Sequence, residues 1–460
     1  GETSPTEVAV VMVPLAAQGH LNQLLHLARL ISGRRGISVH FIATSTHCRQ
    51  ATSRIQDWNP ANSAAVHFHE VDVPLAENPP PNPDSVYKFP SQVIPIIKSA
   101  TVNLRKPIHD LALSLSSAHK RVVIVYDSAT AYSVQDAESV PNTEFYCFQS
   151  TAAFTMFAFN WEFAGRPELP PEAEVFKEVP SAEGCFVPEF EELIAFGNET
   201  KILKSGYIYN SSRIIEGFYL DLRLGDGIDK IWAFGPFHRT PENPPETGRE
   251  NDCLKWLDEQ SPNSVIFISF GTTVSLSDEQ IQEIATGLER SHQKFIWVLR
   301  DADRADIFSG GEVRRPELPP NFEERVGGRG RVIRDWAPQP AILDHPSTGG
   351  FMTHCGWNSF LESISAGVPM ATWPMHSDQP KNAALITKVL KVGVEVKDWR
   401  RWKEIVTAET VENSVRVLMG SEEGDAMRKR AAVMGKALRE SVKENGSSAM
   451  ELDSFLEHIT

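Results

Sequence analysis

The apolar run VAVVMV (residues 8–13), followed by LNQLLHLARLI (21–31) at helical spacing, most constrains what this chain can fold into. Six uninterrupted apolar residues leave a strand no face for water, so both faces must be covered, as in a parallel sheet flanked by helices. The rhythm recurs in SVHFIAT (38–44), RVVIVYD (121–127) and TEFYCFQS (143–150). It restarts in SVIFISFG (264–271), a helix opening at SDEQIQEIATGLERS, KFIWVLR (294–300), GRVIRDWAP (330–338) and TGGFMTHCG (348–356). Strands alternating with helices predict an α/β protein with two Rossmann-like halves. Between them, after IWAFGPF (231–237), HRTPENPPETGREND has the Pro- and Glu-rich composition of an exposed linker. The expected division is 1–237, a linker at 238–252, and 253–460, with the last helical stretch, SSAMELDSFLEHIT, packing back on the first half. VPLAENPPPNPDS (73–85) reads as a loop, because proline lacks a backbone donor, and 159–205 reads as irregular pocket lining.

Composition narrows the function. With 460 residues, 41% of them hydrophobic, the chain can bury a large core. A net charge of −15 argues against general nucleic-acid binding, so any phosphate site must be local. The five cysteines (Cys48, Cys147, Cys185, Cys253, Cys355) show no C-x-x-C spacing for zinc or a redox pair, which suits a reducing compartment. GETSPTEV has no basic-then-apolar leader, and no apolar run approaches the roughly 20 residues of a membrane helix. These features predict a cytoplasmic protein without membrane or nucleic-acid partners, and a monomer is expected.

Two places carry candidate chemistry. His20 lies between the first strand and its helix, at the carboxyl end of a parallel strand, where doubly wound sheets bind ligands. It either packs and caps the turn or acts on a substrate. The second place is WAPQPAILDHPSTGGFMTHCGWNSFLESISAGVPMATWPMHSDQ (336–379). Within it, THCGWNSFLES puts His354, Gly356, Asn358 and Ser359 at a strand-to-helix turn, whose free N–H groups and positive helix end suit a diphosphate. Trp336 beside Gln339 offers a flat face and an amide for a base, while Asp378 and Gln379 offer partners for sugar hydroxyls. Singly, each has a plainer reading: Trp336 as a core aromatic, Ser359 as a helix cap, Asp378 as a solvated loop acid.

Taken in order, this segment resembles the signature box of plant family 1 UDP-sugar-dependent glycosyltransferases. HLNQLLHLARLI, WLDEQSPNSVIFISFGT, FIWVLRDADRADI and PMHSDQP are most similar to the zeatin O-glucosyltransferase branch. The resemblance spans essentially the whole chain and implies a GT-B fold, in which two Rossmann-like domains face a cleft, acceptor on the first and nucleotide sugar on the second. It implies that Trp336 stacks on uracil, with Ala337 and Gln339 nearby, and that Glu362 holds the ribose. Thr272, His354, Asn358 and Ser359 would bind the diphosphate, and Trp357, Asp378 and Gln379 the sugar, with UDP-glucose as donor co-substrate and no cofactor or metal. Ser150 stands where the family often has a donor-facing threonine. By the same resemblance His20 is the general base and Asp127, in VVIVYDSATA, its partner. Asp127 alone could equally be a helix cap.

A histidine titrating near about 6.5 can take a proton from an acceptor hydroxyl at neutral pH, and a carboxylate on its other nitrogen fixes the tautomer. The expected reaction is inverting displacement, giving a β-glucoside of a small apolar acceptor, cytokinin-like or phenolic. An electron-rich ring carbon could accept the sugar instead, giving a C-glucoside. A nucleotide-sugar epimerase and a non-catalytic metabolite-binding module remain the readings from other classes. The acceptor is expected against VYKFPSQVIPII (86–97), FQSTAAFTMF (148–157) and the region of Phe186, with Phe89, Ile94, Phe148 and Phe186 as lining candidates.

Overall fold

The computed structural model describes residues 7–54, 65–74, 77–222, 230–239, 252–308 and 314–460. Two sheets organise them. The first runs β3-β2-β1-β4-β5-β6-β7, with β1 Val8–Val13, β2 Ile37–Thr44, β3 Val66–Val71, β4 Arg121–Asp127, β5 Thr143–Gln149, β6 Lys204–Tyr209 and β7 Ile231–Ala233. The second runs β10-β9-β8-β11-β12-β13, with β8 Val265–Ser269, β9 Lys294–Val298, β10 Gly330–Ile333, β11 Thr348–Thr353, β12 Met370–Thr372 and β13 Gly393–Glu395. Every pairing within both sheets is parallel.

Alternation along β1 explains its unbroken apolar run. Val8, Val10 and Met12 pack with Leu21, Leu24 and Leu25 of the first helix (Gln18–Ile31), while Ala9, Val11 and Val13 pack with Ile94, Ile97 and Ile108 on the other face. β3, β6, β7, β12 and β13 were not among the predicted strands. Four are short or half-exposed, and in β3, VHFHEV, alternating histidines mask the apolar pattern. Nor is 159–205 wholly irregular: helices Ala153–Phe163 and Pro188–Asn198 enter it, the second started by a proline at its first position. The first helix begins at Gln18, three residues before its apolar periodicity, so His20 stands inside its first turn.

Of the expected linker, 240–251 lies outside the described residues. Arg239 before it makes a two-pronged ion pair with Asp344 at 2.9 and 2.5 Å, and Asp252 already opens a helix, Asp252–Asp258. Leu75 and Ala76 of the proline-rich loop are also outside; the rest of that loop has no helix or strand.

The last helix, Ser447–Ile459, inserts Leu452, Phe455, Leu456 and Ile459 into the core of the first sheet. It also covers the edge strand β7, where Glu451 accepts the N–H of Ala233 at 2.6 Å. The two halves share a further core in which Phe154, Phe157 and Phe176 of the first meet Phe360, Leu385 and Ile386 of the second. Phe455 is fully buried, so Phe455→Ala should cost about 3–5 kcal/mol, read as a lowered Tm. An unchanged Tm would contradict the docking of this helix.

Candidate active site

His20 and Asp127 meet where the first sheet reverses its strand order. β1 and β4 are neighbours, their connections leave in opposite directions, and the crevice between their carboxyl ends is where such sheets hold ligands. His20 follows β1 and Asp127 ends β4; Nδ1 of the ring lies 2.7 Å from Oδ2 of the carboxylate. Asp127 is wholly buried, while the His20 side chain is 31% exposed. With Nδ1–H donating to the carboxylate, Nε2 is the nitrogen left for a substrate proton. Burial alone would lower the proton affinity of the imidazole. The charge and hydrogen bond of Asp127, joined by the charge of Asp378, outweigh it and hold His20 above its ordinary value.

Asp127 turns out to do both things its sequence allowed. Its Oδ1 accepts the N–H of Ala129 at 3.0 Å and caps the short turn Ser128–Thr130, while Oδ2 takes His20. The cap fixes the carboxylate that orients the ring. His20 itself caps nothing, since the first helix is capped by no side chain.

The second sheet reverses its order between β8 and β11, and the box residues gather there. Thr272 follows β8, and its carbonyl accepts the N–H of Asp303. His354 and Cys355 follow β11 and lead into helix Trp357–Ala366, which has no side-chain cap, so its first N–H groups face the crevice. The His354 ring is wedged between two glycines: a Cβ at Gly356 would lie 2.4 Å from its Nε2, and one at Gly271 3.0 Å away. Burial pushes this imidazole down to about 4, and its buried Nδ1 has no partner among the described residues. A neutral ring with a free nitrogen beside open helix N–H groups fits a polyanion. Asn358 reaches across the cleft and donates to the carbonyl of Gly19 at 3.0 Å, one residue from His20.

Trp336 is 70% exposed, which removes the reading of a core aromatic. Beside it, Gln339 donates to Glu362 at 2.7 Å and to the Ser359 hydroxyl at 3.0 Å, and its own N–H bonds the Ala337 carbonyl at 2.9 Å. Ser359 is therefore not a helix cap. Burial raises Glu362 to about 7, against the hydrogen bond from Gln339 and the charge of Arg239. Nor is Asp378 a solvated loop acid. It accepts from Thr151 at 2.6 Å and Asn382 at 2.8 Å, and burial raises its carboxyl despite them.

Trp357 and Gln379 are engaged within the protein. The Trp357 indole is buried and donates to the Asn210 carbonyl at 2.8 Å. The Gln379 side chain is buried, its oxygen accepting the N–H groups of Met375 and His376 at 2.9 and 3.1 Å. Ser150 is half-buried, and its carbonyl accepts from Gln23 at 2.8 Å.

Of the acceptor candidates, Phe89 and Phe186 stand together, ring centres 6.1 Å apart, with Ile94 in the cluster beneath. Phe148 does not join them. Side chains alternate along β5, so Cys147 faces the Phe89 side, and Phe148 is buried on the opposite face against Phe237. Three rings missing from the prediction complete the group: Phe190 at 4.6 Å from Phe89, Phe159 at 5.8 Å from Phe186, and His376 edge-on to Phe89 at 5.6 Å. Also unforeseen were Thr151 and Asn382, although DQPKNA places Asp378, Lys381 and Asn382 at the i, i+3, i+4 spacing of one helix face. Among the described residues, no group of three His, Cys, Asp or Glu could hold a metal ion, and no helix is long and apolar enough to cross a membrane.

Comparison with known proteins agrees with this geometry. Residues 6–239 match the family model "Glycosyltransferase, N-terminal domain", and 245–429 match "UDP-glucoronosyl and UDP-glucosyl transferase". The chain is 52% identical over 457 residues to a zeatin O-glucosyltransferase of Phaseolus lunatus, covering 99% of this chain and 97% of that one. It is 50% identical over 460 residues to a zeatin O-xylosyltransferase of Phaseolus vulgaris, covering 99% and 98%. A solved enzyme of Phytolacca americana, complexed with UDP-2-fluoro-glucose and pterostilbene, superposes with a TM-score of 0.76 at 25% identity over 99% of both chains. A Polygonum tinctorium UDP-glucosyltransferase capable of glucosylating indoxyl gives 0.78 at 27%, again over 99% of both. With two parallel-sheet halves facing a cleft, the fold is GT-B, and the chain belongs to the plant family 1 UDP-glycosyltransferases, in the branch of the zeatin O-glycosyltransferases, enzymes that move a sugar from a UDP-sugar to a small plant metabolite.

Proposed function

We propose that the protein transfers glucose from UDP-glucose to a hydroxyl of a small, flat, apolar acceptor of the cytokinin type, with inversion to a β-glucoside. The observation that carries this reading is the His20–Asp127 pair at 2.7 Å, facing the uncapped helix Trp357–Ala366 across a cleft that Asn358 spans to Gly19. His20 Nε2 takes the acceptor proton as the oxygen attacks the anomeric carbon, and Asp127 stabilises the imidazolium that forms. The bond to the diphosphate breaks on the opposite side. Its growing charge is met by the N–H groups of the helix end, with His354 and Thr272 alongside and no metal in the scheme. Trp336 carries the uracil and Glu362, poised by Gln339, the ribose. Five free, buried cysteines support a reducing compartment, the cytoplasm.

The test is an acceptor screen containing zeatin, with UDP-glucose and UDP-xylose in parallel, the anomer read by NMR and the bond type by acid hydrolysis. A β-O-glucoside of zeatin is expected. An α-product, an acid-stable C-glucoside, or a new UDP-sugar formed without acceptor would overturn the proposal.

His20→Ala should lower turnover at least about a hundredfold. The base works only when deprotonated, so kcat/KM should rise with pH through the raised value of His20, the acidic limb lying above 6.5. In Asp127→Asn the imidazole loses the charge that raises it. The limb should shift to lower pH as the maximum rate falls, and a limb that stays put would refute the pairing as the cause. Trp336→Ala should weaken UDP binding by about 1–3 kcal/mol in calorimetry. Because the ring is exposed, Tm should hold, and undiminished affinity would remove uracil stacking from the scheme.

A further inference from the structure

Segment 180–186 belongs by sequence to the first half, but three of its backbone carbonyls are bonded from the second. Lys381 Nζ donates to the Pro180 carbonyl at 2.9 Å, the Trp399 indole donates to the Glu183 carbonyl at 2.9 Å, and the Ser377 N–H donates to the Cys185 carbonyl at 2.7 Å. Between them Gly184, at φ +80°, lies so close over Trp402 that a Cβ would sit 2.4 Å from the indole. That fit requires glycine twice over, for the dihedral and for the approach. Cys185 is buried in a small cluster with Trp399 and Trp402, against which Phe186 packs.

The strongest anchor is Lys381, whose side chain is 1% exposed. Its ammonium is satisfied wholly by the first half. It pairs with Glu162 at 2.8 Å, donates to Pro180, and lies 4.7 Å from the centre of the Phe159 ring. Glu162 in turn accepts the N–H of Ala182 at 3.0 and 3.1 Å. A buried ion pair is a weak source of stability, because desolvating both charges offsets their attraction, but it fixes geometry stringently. The geometry fixed here joins two sites. Lys381 is on the helix Gln379–Ala384, one turn from Asp378, and the segment it holds ends in Phe186, the ring packed on Phe159, Phe190 and Phe89.

We propose that Lys381, paired with Glu162 and assisted by Trp399 and Trp402, is a positioning residue for the acceptor: it holds segment 180–186 against the nucleotide-sugar half, so that the Phe186 wall of the acceptor pocket is set from the helix that follows Asp378. This rests on the reading that the acceptor binds against Phe89 and Phe186. The wall is thereby tied to both halves, packed on Phe89, Phe159 and Phe190 of the first and bonded to Lys381, Trp399 and Ser377 of the second. Lys381, Trp399 and Trp402 thus add determinants of acceptor selectivity from the half whose sequence is that of a donor site.

The experiment uses the full chain and the double variant Lys381→Met/Glu162→Gln, which removes both charges and leaves neither buried unpaired. With zeatin as acceptor, or quercetin where zeatin is not turned over, the acceptor KM should rise about tenfold or more, since a small misplacement of positioning groups has effects of that order. The UDP dissociation constant from calorimetry should stay within about twofold, and Tm within a few degrees. Trp399→Phe keeps an aromatic ring, though a smaller one, and deletes the hydrogen bond to Glu183. It should shift the acceptor KM in the same direction by a smaller factor, and it carries the test alone should the double variant fail to fold. Lys381→Arg in the native background, keeping the charge, should raise the acceptor KM less than the double variant does. An unchanged acceptor KM in the folded variants, or UDP affinity falling in parallel, overturns the proposal. Phe186→Ala separates the two levels: if it leaves the acceptor KM unchanged, the pocket reading fails, whereas if it raises KM and the Lys381 and Trp399 variants do not, only the positioning role fails.

Discussion

Parallel pairing is the constraint on which the rest of the molecule depends. When every strand of a sheet runs the same way, all the segments leaving strand ends collect at one edge, and the point where strand order reverses leaves a crevice there. This chain has two such edges, one beyond β1 and β4 and one beyond β8 and β11. Facing them across one cleft brings the His20–Asp127 pair of the first opposite the uncapped helix Trp357–Ala366 of the second, as the contact of Asn358 with the Gly19 carbonyl marks.

Joining the halves is not left to the linker. A shared apolar core buries aromatic rings from both sides, and directed contacts tune it. Gln92 donates to the carbonyls of Thr273 and Asp303, Trp357 donates to Asn210, and Thr151 and Thr155 engage Asp378 and Asn382. Hydrophobic burial supplies the attraction but has no direction; hydrogen bonds at these positions set the spacing, since an unmade buried bond is costly. The acidic side chains near His20 are part of the same arrangement. Asp378, held by Thr151 from the opposite half, adds its charge to that of Asp127 at His20.

Much of the candidate site was legible through the resemblance of one segment to a known signature. The box from Trp336 to Gln379 encodes strand, turn and helix in sequence, so its order could be matched without knowing what its residues face. His20 and Asp127 were recognisable as strand-end residues, but neither carries a local sign of the other, 107 positions away. The aromatic group was harder. Phe148 and Cys147 are adjacent in sequence, and only the register of β5 shows that they point to opposite faces. Phe159, Phe190 and His376 come from three separate segments, and no period in the sequence links them.

The sequence by itself determined the fold class, the two-part division of strands and helices, and the strand-to-helix turns at which the candidate site residues stand, because strand burial, helix periodicity and turn chemistry are properties of near neighbours. Tertiary structure alone decided which of them meet. It gave Trp357 and Gln379 internal partners, exposed Trp336, paired Lys381 with Glu162, and docked segment 180–186 on the other half. Those outcomes depend on distances between residues far apart in the chain, and these are set by how two sheets pack rather than by any single stretch.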